Sequence, residues 1–249
     1  MLHLDLIGLS RTKSLGRKRY ILVVVDDFTR YTWVILLKSK LDALRHIEAL
    51  CTRLHNEKNI KIDQIHSDHG KEFENSYMES FCTRFGISQE FSALITPQQK
   101  GVVKRKNKVI QEMARAMLYN KNVARNLWGE VVNTACHTVN RVYFRPGTKK
   151  TPYELGKRRK LNMKYFRIFG STCLILKDKE NVGKFDSRSD ERIFLEYSST
   201  SKAYRVYNKR TKKVMETVNV VINEASDSGS EKISKDIPKE ILHLEPKDV

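Results

Sequence analysis

A run of six residues from Tyr20 to Val25, YILVVV, constrains the fold of this chain more than any other feature. Most of the run is β-branched, and β-branched side chains favour an extended backbone, so the run predicts a strand. No polar residue alternates with the apolar ones, which predicts that the strand is buried on both faces. Such a strand belongs inside a sheet that is covered on two sides.

Segments on either side of this run predict the rest of the sheet. Leu2 to Leu6 alternates apolar and polar residues, which predicts a strand with Asp5 near its end. Tyr31 to Leu37 predicts a third strand, so the first three strands form an antiparallel meander. Further segments predict, in order, a helix at 40–56, a strand at 61–66, a helix at 76–85, a strand at 87–93, and two helices, from Gly101 and over 124–143. This order predicts an α/β domain with a mixed five-stranded sheet flanked by helices.

The chain changes character after position 145. Residues 146–162 are basic and contain two prolines and two glycines, which predicts a linker. Short apolar or aromatic segments separated by polar turns follow within 163–224 and predict a small β-barrel or sandwich. They lie at 166–169, 173–177, 192–197, 203–207 and 214–222. Residues 225–249 are rich in Ser, Lys, Glu and Asp, which predicts a disordered tail.

The charge balance indicates a polyanionic partner. Lys and Arg total 47 against 29 Asp and Glu, so the net charge is +18. Eight basic residues and one acidic residue lie within 96–125, and the same counts hold within 141–160. General solubility is the alternative explanation, but clustering into two blocks favours nucleic acid. No run of eighteen apolar residues is present, so we expect no membrane partner.

The stretch from Thr96 to Arg115 joins a loop to a helix with an unusual charge. Apolar residues repeat at helical spacing from Val102 to Met117, and the first turns carry KRKNK, Lys104 to Lys108. A helix N-terminus already bears partial positive charge and favours Asp or Glu. Either phosphates offset the cost of these cations, or a carboxylate has been lost from this position.

Asp5 and Asp68 are candidate metal ligands. Asp68 follows the predicted fourth strand, so the two carboxylates can lie side by side at neighbouring strand ends. Mg²⁺ prefers oxygen ligands and binds through one or two carboxylates together with substrate phosphates. The alternative is that each Asp caps a turn, which is a common role for Asp at strand ends.

Longer motifs identify a family. LHLDLIG starts at Leu2, RYILVVVDDFTRYTWV at Arg19 and IHSDHGKEFEN at Ile65; TPQQKGVVKRKNKVIQEMARAML, WGEVVNTACHTVNR and KTPYELG follow in order. With the β-rich segments IFG, KFDSRS, RIFLEYS and YRVY, the chain resembles the integrase of copia-type LTR retrotransposons from about position 2 to 224.

The resemblance implies an RNase H-like catalytic core over 1–145, a basic linker and a small SH3-like β domain over 163–224. It also implies polynucleotidyl transfer, in which an element's DNA ends are processed and joined to target DNA. Two Mg²⁺ ions, with Mn²⁺ as a substitute, serve that chemistry in the family. Their ligands are an Asp on the first strand, an Asp after the fourth and a Glu at the start of a helix. Asp5 and Asp68 match the first two.

Lys104 stands where the family's Glu is expected. Thirty-five residues separate Asp68 from this position, which is the family's spacing, but the side chain is an amine. The third metal-binding carboxylate is therefore missing, and we expect an impaired enzyme in which Lys104 pairs with Asp5 or Asp68. If the site is not functional, no cofactor is expected.

Nucleic-acid binding tolerates a lysine at position 104 better than catalysis does, because phosphate contact needs charge and reach rather than the geometry of a metal ligand. The candidate DNA-binding residues are Lys100, Lys104, Arg105, Lys106 and Lys108. We expect an integrase-derived DNA-binding pseudoenzyme. One alternative is an active Mg²⁺-dependent polynucleotidyl transferase with a substitute ligand, and another is a relic with no nucleic-acid role.

The resemblance also implies partners and a location. The expected partners are the LTR ends and target DNA, with a second copy of the chain in a homo-oligomer, and the expected location is the nucleus. The family's zinc-binding module precedes the matching region and its reverse transcriptase follows it, so we expect a degenerate fragment of a Pol polyprotein.

Overall fold

The computed structural model describes residues 1–58, 61–92, 101–120, 123–176, 189–198, 201–208 and 210–223. The chain divides into two compact units. The first comprises Met1–Phe169 with Leu195–Tyr197, and the second comprises Gly170–Phe194 and Ser198–Val249. The predicted disordered tail, 225–249, lies outside the described residues.

A mixed five-stranded sheet forms the centre of the first unit. Its strands are β1 (Leu2–Ile7), β2 (Tyr20–Asp26), β3 (Thr32–Leu37), β4 (Gln64–Ser67) and β5 (Ser88–Phe91). Their spatial order is β3-β2-β1-β4-β5. β1 and β3 pair antiparallel with β2, whereas β4 is parallel to β1 and β5 is parallel to β4. The meander and the parallel additions match the predicted topology.

Within the described residues, five α-helices accompany this sheet. They are α1 (Ala43–Lys58), α2 (Ser76–Phe85), α3 (Gly101–Asn120), α4 (Trp128–Val142) and α5 (Pro152–Lys157). α2 begins where the Asn75 side chain accepts a hydrogen bond from the Met78 amide, and it ends at Gly86, whose φ of 63° suits a residue without a side chain. α5 lies inside the segment predicted as a linker, where Thr151 and Glu154 form a capping box.

β2 is buried on both faces, as its sequence predicts. Leu22 and Val24 pack into a core that also contains Leu50 of α1 and Phe81 of α2. The intervening Val23 is also fully buried, on the side where α3 and α4 contact the sheet. The sheet is therefore sandwiched between two helical layers, and α3 lies directly over β1 and β2.

Asn140 ties α4 to the edge of the sheet. Its Nδ2 donates to the Thr32 carbonyl at 2.7 Å, and its Oδ1 accepts from the Thr32 amide at 2.8 Å. Both residues are buried, so each partner satisfies a polar group that water cannot reach.

These features confirm the predicted α/β fold class with a mixed five-stranded sheet flanked by helices. None of the described helices is both long and apolar enough to cross a membrane.

The second unit is built on an antiparallel five-stranded sheet of order β10-β6-β7-β8-β9, consistent with the predicted SH3-like domain. Its strands are β6 (Thr172–Leu176), β7 (Ser189–Tyr197), β8 (Tyr204–Asn208), β9 (Lys213–Thr217) and β10 (Val221–Asn223). Two predictions about the β-rich segments were wrong. Residues 166–169, which belong to the first unit, form no strand, and the segment 214–222 is split between β9 and β10.

Candidate functional site

The pairing of β1 with β4 brings Asp5 and Asp68 together. The two strands are parallel, with Leu2 opposite Ile65 and His3 opposite His66. The same offset, continued past the last paired residues, places Asp68 beside Asp5. The charge of Asp68 acts on Asp5 strongly enough to raise its pKa. The two candidate ligands therefore share one end of the sheet, as the sequence predicts.

Burial and nearby charges shift the pKa of the Asp5 carboxyl. Burial raises the pKa of its carboxyl above the ordinary value, and the neighbouring Asp68 raises it further. Three groups oppose this rise: the Leu6 amide, which donates to Oδ1 at 3.0 Å, the charge of Lys104, and Asn107. Asn107 Nδ2 donates to Asp5 Oδ2 at 2.5 Å. Each oxygen of Asp5 thus already has a donor from the protein.

Asp68 is held by the turn that follows β4. The Gly70 amide donates to Asp68 Oδ1 at 3.1 Å. A side-chain carbon at Gly70 would lie 3.0 Å from both Asp68 Oδ1 and Glu72 Oε2, so these two oxygens are at most about 6 Å apart. Glu72 is mostly buried, and Lys40 Nζ lies 3.2 Å from its Oε1. Sequence reasoning gave Glu72 no role, although its position four residues after Asp68 in a glycine turn was a usable signal.

One face of α3 covers Asp5. Lys104, Asn107, Lys108, Gln111 and Arg115 recur at intervals of three or four residues and line a cavity of about 290 Å³ with Asp5 and Ile7. The cavity has one carboxylate in its lining and three cationic side chains. It suits an anionic ligand better than a free cation.

Lys104 lies over this cavity and is exposed. Among the described residues, no ion pair within 4 Å joins Lys104 to Asp5 or Asp68, so the predicted pairing is not a direct contact here. The Leu6 amide and Asn107 are the groups that donate to the oxygens of Asp5. Lys104 acts on Asp5 through its charge, which lowers the pKa of that carboxyl.

The other candidate DNA-binding residues do not form one cluster. Lys108 is exposed and shares the helix face of Lys104, and its Nζ lies 3.9 Å from Glu112 Oε1. Arg105 is exposed, and its guanidinium folds back over Gly101. Lys106 is half-buried near Cys136, and burial lowers the pKa of its amine. Lys100 lies outside the described residues.

The donor set fits one divalent cation better than two. Across the described ranges, no group of three or more His, Cys, Asp or Glu side chains is placed to hold a metal ion. Asp5 and Asp68 alone offer the one or two carboxylates that suffice for a Mg²⁺ whose other ligands are phosphate oxygens and water. Such an ion would supply Lewis-acid chemistry at a phosphate.

Comparison with known proteins confirms the resemblance that the sequence motifs indicate. The family model of the integrase core domain matches residues 1–97, and that of the retroviral polymerase SH3-like domain matches residues 171–236. The homologues of the chain are Pol polyproteins of plant copia-type retrotransposons.

Two of these relatives show the extent of the likeness. The chain is 28% identical over 242 residues to the retrovirus-related Pol polyprotein from transposon TNT 1-94 of Nicotiana tabacum, covering 97% of this chain and 18% of the relative. It is 28% identical over 191 residues to the retrovirus-related Pol polyprotein from transposon RE2 of Arabidopsis thaliana, and this match covers 77% of this chain and 13% of that relative. The chain thus spans less than a fifth of the length of these curated relatives.

Among solved structures, the chain is similar to the HTLV-2 integrase catalytic core domain in complex with magnesium, in a trimeric form. The identity is 21%, the TM-score is 0.47, and the match covers 61% of this chain and 93% of that one.

Proposed function

We propose that this protein binds nucleic acid through the face of α3 that covers Asp5, and that it performs strand transfer poorly or not at all. The observation that carries the proposal is the setting of Asp5. Its oxygens are engaged by Leu6 and Asn107, and an amine rather than a third carboxylate stands over it.

The charge of the α3 face supports nucleic-acid binding. Lys104, Lys108 and Arg115 line one side of the cavity, so a phosphodiester chain placed there meets three cations on a single helix. Such contacts position a backbone and require no base readout. The net charge of +18 adds a long-range attraction that raises the association rate at low salt.

The same residues argue against efficient catalysis. In two-metal phosphoryl transfer, a pair of ions about 3.5–4 Å apart stabilises the attacking and leaving oxygens. Asp5 and Asp68 can hold one ion, and the second requires a further carboxylate. Lys104 instead opposes a cation, since one unit charge pair at about 4 Å and an effective dielectric near 20 is worth about 4 kcal/mol.

Binding to duplex DNA across a salt series tests the first half of the proposal. We expect affinity that falls steeply with salt, and a double variant Lys104→Ala/Lys108→Ala that is weaker with a shallower slope. Arg45→Ala/Arg53→Ala is the matched control, because both residues are exposed on α1, which packs on the other face of the sheet. Weak affinity with no salt dependence would indicate a relic without a nucleic-acid role.

A nicking and joining assay with an LTR-end oligonucleotide tests the second half. We expect no product with the parent protein in Mg²⁺ or Mn²⁺. Metal-dependent product from the parent would instead support an active polynucleotidyl transferase.

The position of Glu72 favours that second candidate function. Its carboxylate lies near that of Asp68 and could complete a ligand set if Lys40 released it. Under this alternative, Glu72→Gln abolishes metal-dependent product, whereas the control Glu79→Gln on α2 leaves it intact. Under the main proposal, neither variant has any product to lose.

A further inference from the structure

A groove continues from the candidate site along α3. It runs between the C-terminal half of α3 and the connection from β1 to β2, and it consists of two adjoining cavities of about 250 and 760 Å³. The smaller cavity shares Ile7, Gln111 and Arg115 with the cavity at Asp5. The larger one continues it past Trp128 to Arg11 and Arg125. We refer to this continuous path as the hairpin groove.

The hairpin groove is cationic along its whole length. Arg19 lines its inner part, Arg115 its middle, and Arg11 and Arg125 its far end. No Asp or Glu lines either cavity in the described part of the chain, and none of these four arginines has a carboxylate within 4 Å there. A row of cations without counter-charges is costly, and an anionic ligand would offset that cost.

Arg19 lacks a counter-charge in the described part of the protein. It lines the inner part of the groove, and no carboxylate of the described ranges pairs with it. An anionic ligand in the groove would offset the charge of its guanidinium. Arg115 is also available, because its one hydrogen bond, to Gln111, is 3.4 Å long.

The floor of the groove is apolar. It contains Ile7, Ile21 and Leu118, with the indole of Trp128 fixed by a 2.8 Å hydrogen bond from Nε1 to the Thr12 carbonyl. At the mouth, Tyr119 is 86% exposed and free to stack. Cations beside an apolar, aromatic floor suit a chain that alternates phosphates with unpaired bases. In a duplex the bases are stacked inside the helix, so they cannot contact the apolar floor of the groove.

We propose that the hairpin groove seats a single-stranded nucleic-acid segment that leads away from the acid pair. This inference rests on the proposed function, because it extends the same nucleic acid from the face of Lys104 and Lys108. The arginines contact its phosphates and the floor receives its bases.

Fluorescence anisotropy with matched oligonucleotides tests the proposal on the full chain. The probes are a blunt duplex, the same duplex with a single-stranded extension of about six nucleotides, and one whose extension is abasic. We expect the extension to strengthen binding about tenfold or more, and the abasic extension to lose most of that gain. Arg11→Ala/Arg125→Ala removes two exposed side chains at the far end. It should reduce the gain and leave blunt-duplex affinity near that of the parent.

The outcomes separate this proposal from the preceding one. Lys104→Ala/Lys108→Ala should weaken blunt and extended duplexes alike, while Arg45→Ala/Arg53→Ala changes neither. Equal affinity for blunt and extended duplexes would contradict single-strand binding in the hairpin groove but not duplex binding by α3. No binding of any probe would contradict both proposals. Displacement of the extended probe by a poly-glutamate peptide as readily as by a single-stranded oligonucleotide would reassign the groove to an acidic peptide.

Discussion

Asn107 offers a test of how the candidate site is held together. Its side chain is buried, and its Nδ2 donates to Asp5 Oδ2 at 2.5 Å. A hydrogen bond to a charged group contributes about 1.5–3 kcal/mol to stability. Asn107 Oδ1 is buried without a partner among the described residues, and its removal returns about 1 kcal/mol. We therefore expect Asn107→Ala to lower the free energy of unfolding by about 0.5–2 kcal/mol at neutral pH.

The loss should depend on pH in a defined direction. Asn107 lowers the pKa of Asp5, so its contribution is present when Asp5 is ionised. It is lost as pH falls through the pKa of that carboxyl, which burial and Asp68 hold above 3.8. The difference between parent and Asn107→Ala should shrink from pH 7 towards pH 4, and the pKa of Asp5 should be higher in the variant.

Urea unfolding at several pH values measures the first effect, and an NMR titration of Asp5 measures the second. Gln111→Ala is the matched control, since Gln111 lines the same cavity but makes only a long contact with Arg115. It should change stability by less than about 0.5 kcal/mol. A loss in Asn107→Ala that is the same at pH 7 and pH 4, with an unchanged pKa of Asp5, would refute the proposed role of Asn107.

Two further predictions concern the scaffold. Burial lowers the pKa of His137 to about 3, whereas the unfolded chain titrates near 6.5, so stability should fall as pH drops below about 6.5, by up to about 1.4 kcal/mol per pH unit. In pH-dependent melting, His137→Phe should flatten this slope and the exposed His55→Gln should not. Asn140→Ala leaves the buried Thr32 amide without its side-chain partner and leaves the Thr32 carbonyl only the Cys136 thiol as a donor, which should cost about 1–3 kcal/mol in equilibrium unfolding. A cost below about 0.5 kcal/mol would show that water replaces both bonds.

The parts of the fold that sequence predicts well are those in which one residue pattern has one physical solution. The unbroken apolar run of β2 requires cover on both faces, and both helical layers are present. The ends of β1 and β4 had to meet once the strands were parallel, so Asp5 and Asp68 were brought together as predicted.

Other features of the site were within reach of sequence reasoning but were missed. Successive α-helical residues turn by about 100°, so Lys104 and Lys108 share a face and Lys106 does not. The same spacing places Asn107 beside Lys104, over Asp5. The prediction that all the cations of KRKNK bind DNA together takes no account of the helix face on which each side chain lies.

Other features depend on packing that no local pattern encodes. Glu72 approaches Asp68 because of the turn at Gly70, and the hairpin groove exists because the connection after β1 lies against α3. At the end of the first unit, the segment 166–169 contains apolar residues as a strand does, but it forms no strand among the described residues, since strand pairing depends on partners distant in sequence.

Calorimetric titration of Mg²⁺ into the parent protein and into Lys104→Glu tests the central claim most directly. Restoring a carboxylate at position 104 exchanges a repelling charge for a ligand, so we predict at least about tenfold tighter Mg²⁺ binding in Lys104→Glu than in the parent. The uncharged variant Lys104→Gln should lie between them. Equal Mg²⁺ affinity in the parent and in Lys104→Glu would contradict the account, because the amine would then not be what disables the site.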